Sequence, residues 1–92
     1  MVRFQWDPAK AESNLTKHGV SFTEASTVFG DALAATITDR EHSEEELRFI
    51  TMGMSTENRL LVVAHSDTGE DMRIISARLA TGQERKRYES RS

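Results

Sequence analysis

The chemistry open to this chain rests on a handful of side chains: Arg48, Arg73, Arg78 and Arg85, the histidines His18, His42 and His65, the carboxylate Glu46, and the single tyrosine, Tyr88. Arginine stays charged and presents a planar fork of donors suited to phosphate. Histidine titrates near neutrality and suits proton transfer. The sequence has no Gly-rich phosphate loop, no nucleophile elbow and no serine triad. It has no cysteine, which excludes a thiol nucleophile. A set of arginines, one or two histidines, a carboxylate and a tyrosine suits cleavage of an RNA phosphodiester, because that substrate brings its own nucleophile, the 2′-hydroxyl. The protein then has to orient the chain, stabilise charge on the phosphate, and assist proton transfer at each end.

Spacing sorts these residues. His42 falls in the polar stretch Asp39-Arg40-Glu41-His42-Ser43-Glu44-Glu45-Glu46, between two strand-like runs, while His65 ends a strand and His18 ends a helix, positions that read as structural. No two histidines have metal-ligand spacing and no thiolates are present, so neither a metal nor another cofactor is implied. Glu46 precedes Arg48 by two residues, which puts both on one face if the strand already begins there. That pair either supports the arginine or is a surface pair worth about 0–1 kcal/mol. Arg73 and Arg78 are five apart and project to opposite faces of a regular strand, which leaves Arg78, at the strand's end, as the one placed for a cleft. Arg85 and Tyr88 share a helix face. Taken by itself, Tyr88 reads as the packing anchor of a weak helix.

Charge is unevenly spread. Among 92 residues with a net charge of −3, residues 73–92 carry six Arg or Lys against two acids, whereas residues 31–72 carry three against ten. A basic end on an acidic chain points to an anionic ligand, nucleic acid first. With 37% hydrophobic residues, the length suits one domain, 1–92, around one small core. The N-terminus lacks the apolar run of a signal peptide and no stretch approaches a bilayer span, so a soluble cytoplasmic protein with no membrane partner is expected.

The elements that must position these groups follow from local signals. Asp7-Pro8 opens a helix that Gly19 closes, with Lys17 and His18 in its last turn and Ala11, Leu15 and His18 in a thin apolar stripe. Ser21-Phe22-Thr23-Glu24 is a capping box opening a second short helix, whose Phe22, Ala25, Ser26 and Phe29 share a face. Strands are expected over 33–38, 47–54, 59–65 and 72–77, with a short extra strand at Arg3 to Trp6 as an option. The connections 55–58 and 66–71 suit antiparallel hairpins. Leu60 to Ala64 is apolar at both parities, as an interior strand requires. Thr81-Gly82-Gln83-Glu84 caps a terminal helix weakened by Gly82. The order gives an α+β domain with two N-terminal helices, an antiparallel four-stranded sheet and a C-terminal helix.

At this level the chain resembles the BrnT toxins of bacterial type II toxin–antitoxin pairs. The resemblance is carried by Phe4-x-Trp6-Asp7-x-x-Lys10, Asn14, Lys17-His18-Gly19-Val20-x-Phe22-x-Glu24-Ala25, Val28-Phe29-x-Asp31, His42-Ser43, Arg48 and Gly53. It ends with Arg73-Ile74-Ile75-Ser76-Ala77-Arg78-x-Ala80-Thr81, Glu84-Arg85 and Tyr88. It implies a RelE-like fold and an endoribonuclease that arrests growth, held inactive by a BrnA antitoxin whose ribbon-helix-helix domain binds operator DNA, so that the toxin meets DNA only through its partner. Within that frame Arg48 and Arg78 bind the scissile phosphate, His42 is general base or acid, Tyr88 positions or protonates the leaving group, and Glu46 orients Arg48 or exchanges a proton. Lys17, Arg73, Arg85 and Lys86 hold backbone phosphates. Thr81-Gly82-Gln83 departs from the more basic stretch common in the family. The competing reading is a non-catalytic module that uses the same basic end to hold RNA or a protein.

Overall fold

The computed structural model describes residues 3–42 and 47–90, with the backbone alone at residue 42. Strands β1 (Arg3–Gln5), β2 (Ala35–Thr38), β3 (Arg48–Met54), β4 (Leu60–Asp67) and β5 (Asp71–Leu79) form a sheet in the order β1-β5-β4-β3-β2. Helix α1 (Pro8–His18) and helix α2 (Phe22–Ser26), which tightens into a 3₁₀ turn over Thr27–Gly30, cover one face, and α3 (Gly82–Glu89) follows β5. The sheet is mixed, which corrects the four-stranded antiparallel expectation. The optional N-terminal strand forms, and it lies parallel to β5 with Phe4 opposite Met72. Parallel neighbours need a long crossover, and here everything between β1 and β5 serves as that crossover.

The signals that bound α1 act as expected, whereas at α2 only half of the capping box forms: the Ser21 hydroxyl accepts the Glu24 N–H at 3.0 Å, and the Glu24 carboxylate accepts from Arg59 and Ser55. The Asp7 carboxylate accepts the Ala9 N–H at 2.8 Å, Pro8 occupies the first turn, and Gly19 closes α1 at φ 68°. The second helix is shorter than its face pattern suggests, because the chain tightens at Thr27 and buries Val28 beside Phe22 and Ala25. The core between these helices and the sheet consists of Val20, Phe22, Ala25, Val28, Leu61, Val63, Ile74 and Ala77, with Trp6, Ala11 and Phe29 packed against it. Central β4 is buried on both faces, as its unbroken apolar run requires.

One irregularity decides the geometry of the other face. Ala64 pairs with Ser76 but His65 pairs with Ile74, so Ile75 is an extra residue bulged out of β5. A one-residue bulge reverses the alternation beyond it. Ile74 and Ala77, three apart, therefore both enter the core, and Arg73 and Arg78, five apart, both project to the face away from α1 and α2. The opposite-face expectation for the two arginines is corrected by that bulge.

A candidate active-site cleft on the open face of the sheet

Direct cross-strand neighbours share a face, which allows the open face to be read from register. Arg48 of β3 stands opposite Ser66 of β4, Ile50 opposite Ala64, and Met52 opposite Val62. On the other side Ser76 and Arg78 of β5 stand opposite Ala64 and Val62. The two arginines are thus offset by four residues along β4, about 13 Å, with small side chains between them. Together with His18, Asp39, Ile50, Val62, Ala64, Ile75 and Ser76 they line one cleft of about 290 Å³. The cleft carries two arginines and one acid, Asp39, and its volume admits a phosphate and part of a nucleotide.

Each wall is held by a separate device. Arg78 is gripped from below by Glu84 of α3: its Nη1 and Nη2 donate to the two carboxylate oxygens at 2.8 and 3.0 Å. This fork-to-fork pairing matches a phosphate as well as a carboxylate. Glu84 also accepts the Thr81 N–H at 2.8 Å, and the Thr81 hydroxyl accepts the Glu84 N–H, which completes the capping box of α3. The Arg78 guanidinium, with help from Thr81 and against the cost of burial, brings the Glu84 carboxyl down to about 2. Arg48 begins β3, and its carbonyl accepts the N–H of Asp39 at 2.9 Å, which ties the end of β2 to the start of β3.

The third wall comes from α1. Among the described residues no strand pairs with the outer side of β5 beyond Arg73, because β1 pairs only with Asp71–Arg73. Asn14 takes the place of a strand there. Its amide donates to the Ala77 carbonyl at 2.8 Å and to the Val20 carbonyl at 3.0 Å, and its side-chain oxygen accepts the Ala77 N–H at 3.1 Å. The inward stripe of α1 is accordingly Ala11, Asn14 and His18, while Leu15, expected to face the core, is 51% exposed. His18, read from sequence as structural, comes out half-buried in the lining of the same cleft as Arg78.

Other residues singled out from sequence fall elsewhere. Tyr88 is buried and donates its hydroxyl to Asp31 at 2.5 Å, and it is not among the residues lining the cleft. That bond and burial both raise the phenol's pKa. Asp31 pays for its own burial but, through the N–H groups of Met54 and Leu33 and the Tyr88 hydroxyl, keeps its carboxyl below the usual carboxylate range. Arg73 is exposed beside Gln5, Trp6 and Asp7. Lys17 and Lys86 are exposed, and Arg85 lies 3.9 Å from Glu89. The side chain of His42, and the whole of Glu46, lie outside the described residues. His65 is a core residue: its ring nitrogens bond to the Thr51 hydroxyl and to Asp67, and it packs between Phe29 and Phe49. Among the described residues no group of three or more His, Asp or Glu side chains is assembled that could hold a metal ion, and no helix is long and apolar enough to cross a membrane.

The sequence pattern held partial signals for what it missed. Asn14 and His18 are four apart on one helix, a spacing that shares a face, but a search for apolar stripes passes over asparagine. Glu84 was visible as a capping residue, and its bond to Arg78 depends on how α3 folds back.

A mixed five-stranded sheet with α1 and α2 on one face, and on the other an arginine-lined cleft that α3 reaches through the Glu84–Arg78 pair, defines a small α+β protein. Residues 6–84 match the family model described as ribonuclease toxin, BrnT, of type II toxin-antitoxin system, and the chain belongs to that family. Membership in a type II toxin–antitoxin system brings with it an RNA substrate and an antitoxin partner. The fold is similar to the crystal structure of the Brucella abortus ribonuclease toxin BrnT, with a TM-score of 0.69 at 20% identity over 88% of this chain and 99% of that one. No curated protein sequence matches the chain.

Proposed function

We propose that this toxin is a metal-independent endoribonuclease, in which Arg48 and Arg78 close on the scissile phosphate from opposite walls of the cleft. The 2′-oxygen attacks the adjacent phosphorus, the P–O5′ bond breaks, one proton leaves the 2′-hydroxyl and one reaches the departing 5′-oxygen. The products are a 2′,3′-cyclic phosphate and a 5′-hydroxyl. The observation that carries this reading is the presence of both arginines in one cleft, lined between them by Ile50, Val62, Ala64 and Ser76. Guanidinium groups can follow charge as it grows on the non-bridging oxygens, without a Lewis acid. His42 as acid or base and Glu46 as support for Arg48 belong to the same reading; they stand six and two residues before Arg48 in the chain. Lys17, Arg73, Arg85 and Lys86 supply charge for flanking phosphates. The Tyr88–Asp31 bond favours a supporting role for Tyr88, holding α3 and with it Glu84. Growth arrest follows from RNA loss in the cytoplasm. A BrnA-like antitoxin with a ribbon-helix-helix domain neutralises the toxin, and the complex represses its own operon through the antitoxin's contact with DNA.

The test is cleavage of end-labelled RNA by purified toxin in excess EDTA. Cyclic-phosphate ends are expected, along with a rate loss of about 10²–10³-fold in Arg48→Ala and in Arg78→Ala. Cleavage that needs added divalent metal, or that both variants perform at the wild-type rate, overturns the mechanism. RNA binding without any cleavage would favour the non-catalytic module.

A further inference from the structure

Proton transfer needs a group in the cleft that can exchange a proton; neither arginine can be deprotonated in a protein, which leaves His18 and Asp39 among the lining side chains. Resting on the ribonuclease reading, we infer that His18 is a proton-transfer residue of this reaction. The placement is built into the fold. Asn14 clamps both backbone groups of Ala77, His18 lies one turn further along the same face of α1, and Arg78 follows Ala77 directly. The register between His18 and Arg78 is therefore set by three hydrogen bonds at Asn14, all buried. Gly19, in the left-handed conformation at φ 68°, turns the chain away right after His18, and its N–H bonds to the Leu15 carbonyl at 2.9 Å.

His18 is half-buried in the cleft lining, whereas both ring nitrogens of His65 are already bonded, to Thr51 and Asp67. The charged groups that line the same cleft are Arg78 from β5, Arg48 from β3 and Asp39 at the end of β2; Lys17 precedes His18 on its own helix, and Glu84 is bonded to Arg78. A phosphate held by the two arginines sits against this wall. The imidazole then either accepts the 2′-hydroxyl proton as the O2′–P bond forms, or donates to O5′ as the P–O5′ bond breaks, so that atoms and charge balance in each case.

The experiment compares pH–rate profiles of RNA cleavage by wild type and His18→Gln, with thermal melts confirming that both are folded. His18→Gln is expected to lose about 100-fold or more in kcat and to lack one limb of the wild-type profile. A profile parallel to wild type, whatever its height, overturns the assignment and leaves the ribonuclease reading intact. Wild type that cleaves no RNA overturns both. A second measurement needs no variant: the His18 ring resonances of wild type are followed by NMR as a 2′-deoxy dinucleotide is added. Saturable shifts support contact with the substrate, and unchanged resonances at saturation overturn it.

Discussion

Replacing Glu84 by Gln tests the device that holds Arg78. Glutamine keeps a side-chain oxygen for the Thr81 N–H, so the capping box survives, while the change removes the charge and replaces one of the two oxygens that accept from Arg78 by an amide donor. A fall in the carboxyl's pKa from 4.5 to about 2 corresponds, at about 1.36 kcal/mol per unit, to roughly 3 kcal/mol of folding stability. Water screens the pair, because the side chain of Arg78 is 43% exposed and that of Glu84 24%, and this reduces the figure to about 1–2 kcal/mol. Folding lowers this pKa, so the stabilisation is fully present above the unfolded value of 4.5 and disappears as pH falls toward the folded value of about 2. Urea unfolding of both proteins at pH 7 and pH 3 measures it. At pH 7 the variant should be less stable by about 1–2 kcal/mol, and more than half of that gap should close at pH 3. A variant as stable as wild type at pH 7, or a gap unchanged at pH 3, would refute the argument that Arg78 and Glu84 stabilise each other as ions.

Asn14→Ala removes three buried bonds and orphans both backbone groups of Ala77, at a cost of about 3 kcal/mol; a melting temperature within 3 °C or so of wild type would contradict the strand-substitute role. Tyr88→Phe loses a bond to a charged carboxylate and should cost about 2 kcal/mol while leaving RNA cleavage near wild type under conditions where the protein stays folded. Loss of cleavage at unchanged stability would return the phenol to the chemistry. At Gly53 an added Cβ would come within 3.0 Å of the Ala34 Cβ and 3.1 Å of the Val28 carbonyl oxygen, so Gly53→Ala should destabilise by about 1–3 kcal/mol in chemical unfolding. Gly82 meets nothing within 4 Å, and Gly82→Ala is expected to stabilise by about 0.5 kcal/mol in the same assay.

Much of the architecture was legible because it depends on short-range chemistry. Asp7-Pro8 and Gly19 mark the ends of α1, Ser21 and Thr81 start α2 and α3, and the apolar run of β4 announces a strand covered on both faces. Strand pairing across the chain was less accessible. Residues 3–5 are too short a run to show that they pair, let alone in which direction, and the parallel partner lies nearly 70 positions away. The bulge at Ile75 carries no local mark, since isoleucine suits a regular strand equally well.

By itself the sequence determined which groups were available: an arginine-rich end, no thiol, three histidines, and the motifs that place the chain in a family of ribonuclease toxins. Only the tertiary structure decided which of these groups meet. It brought Arg48 and Arg78 into one cleft, added His18, set Glu84 behind Arg78, and tied Tyr88 to Asp31. The physical reason is that side-chain direction depends on register. One bulged residue reverses a strand's faces, and one buried asparagine fixes a helix against an unpaired edge, and both are settled by hydrogen bonds between residues far apart in the chain.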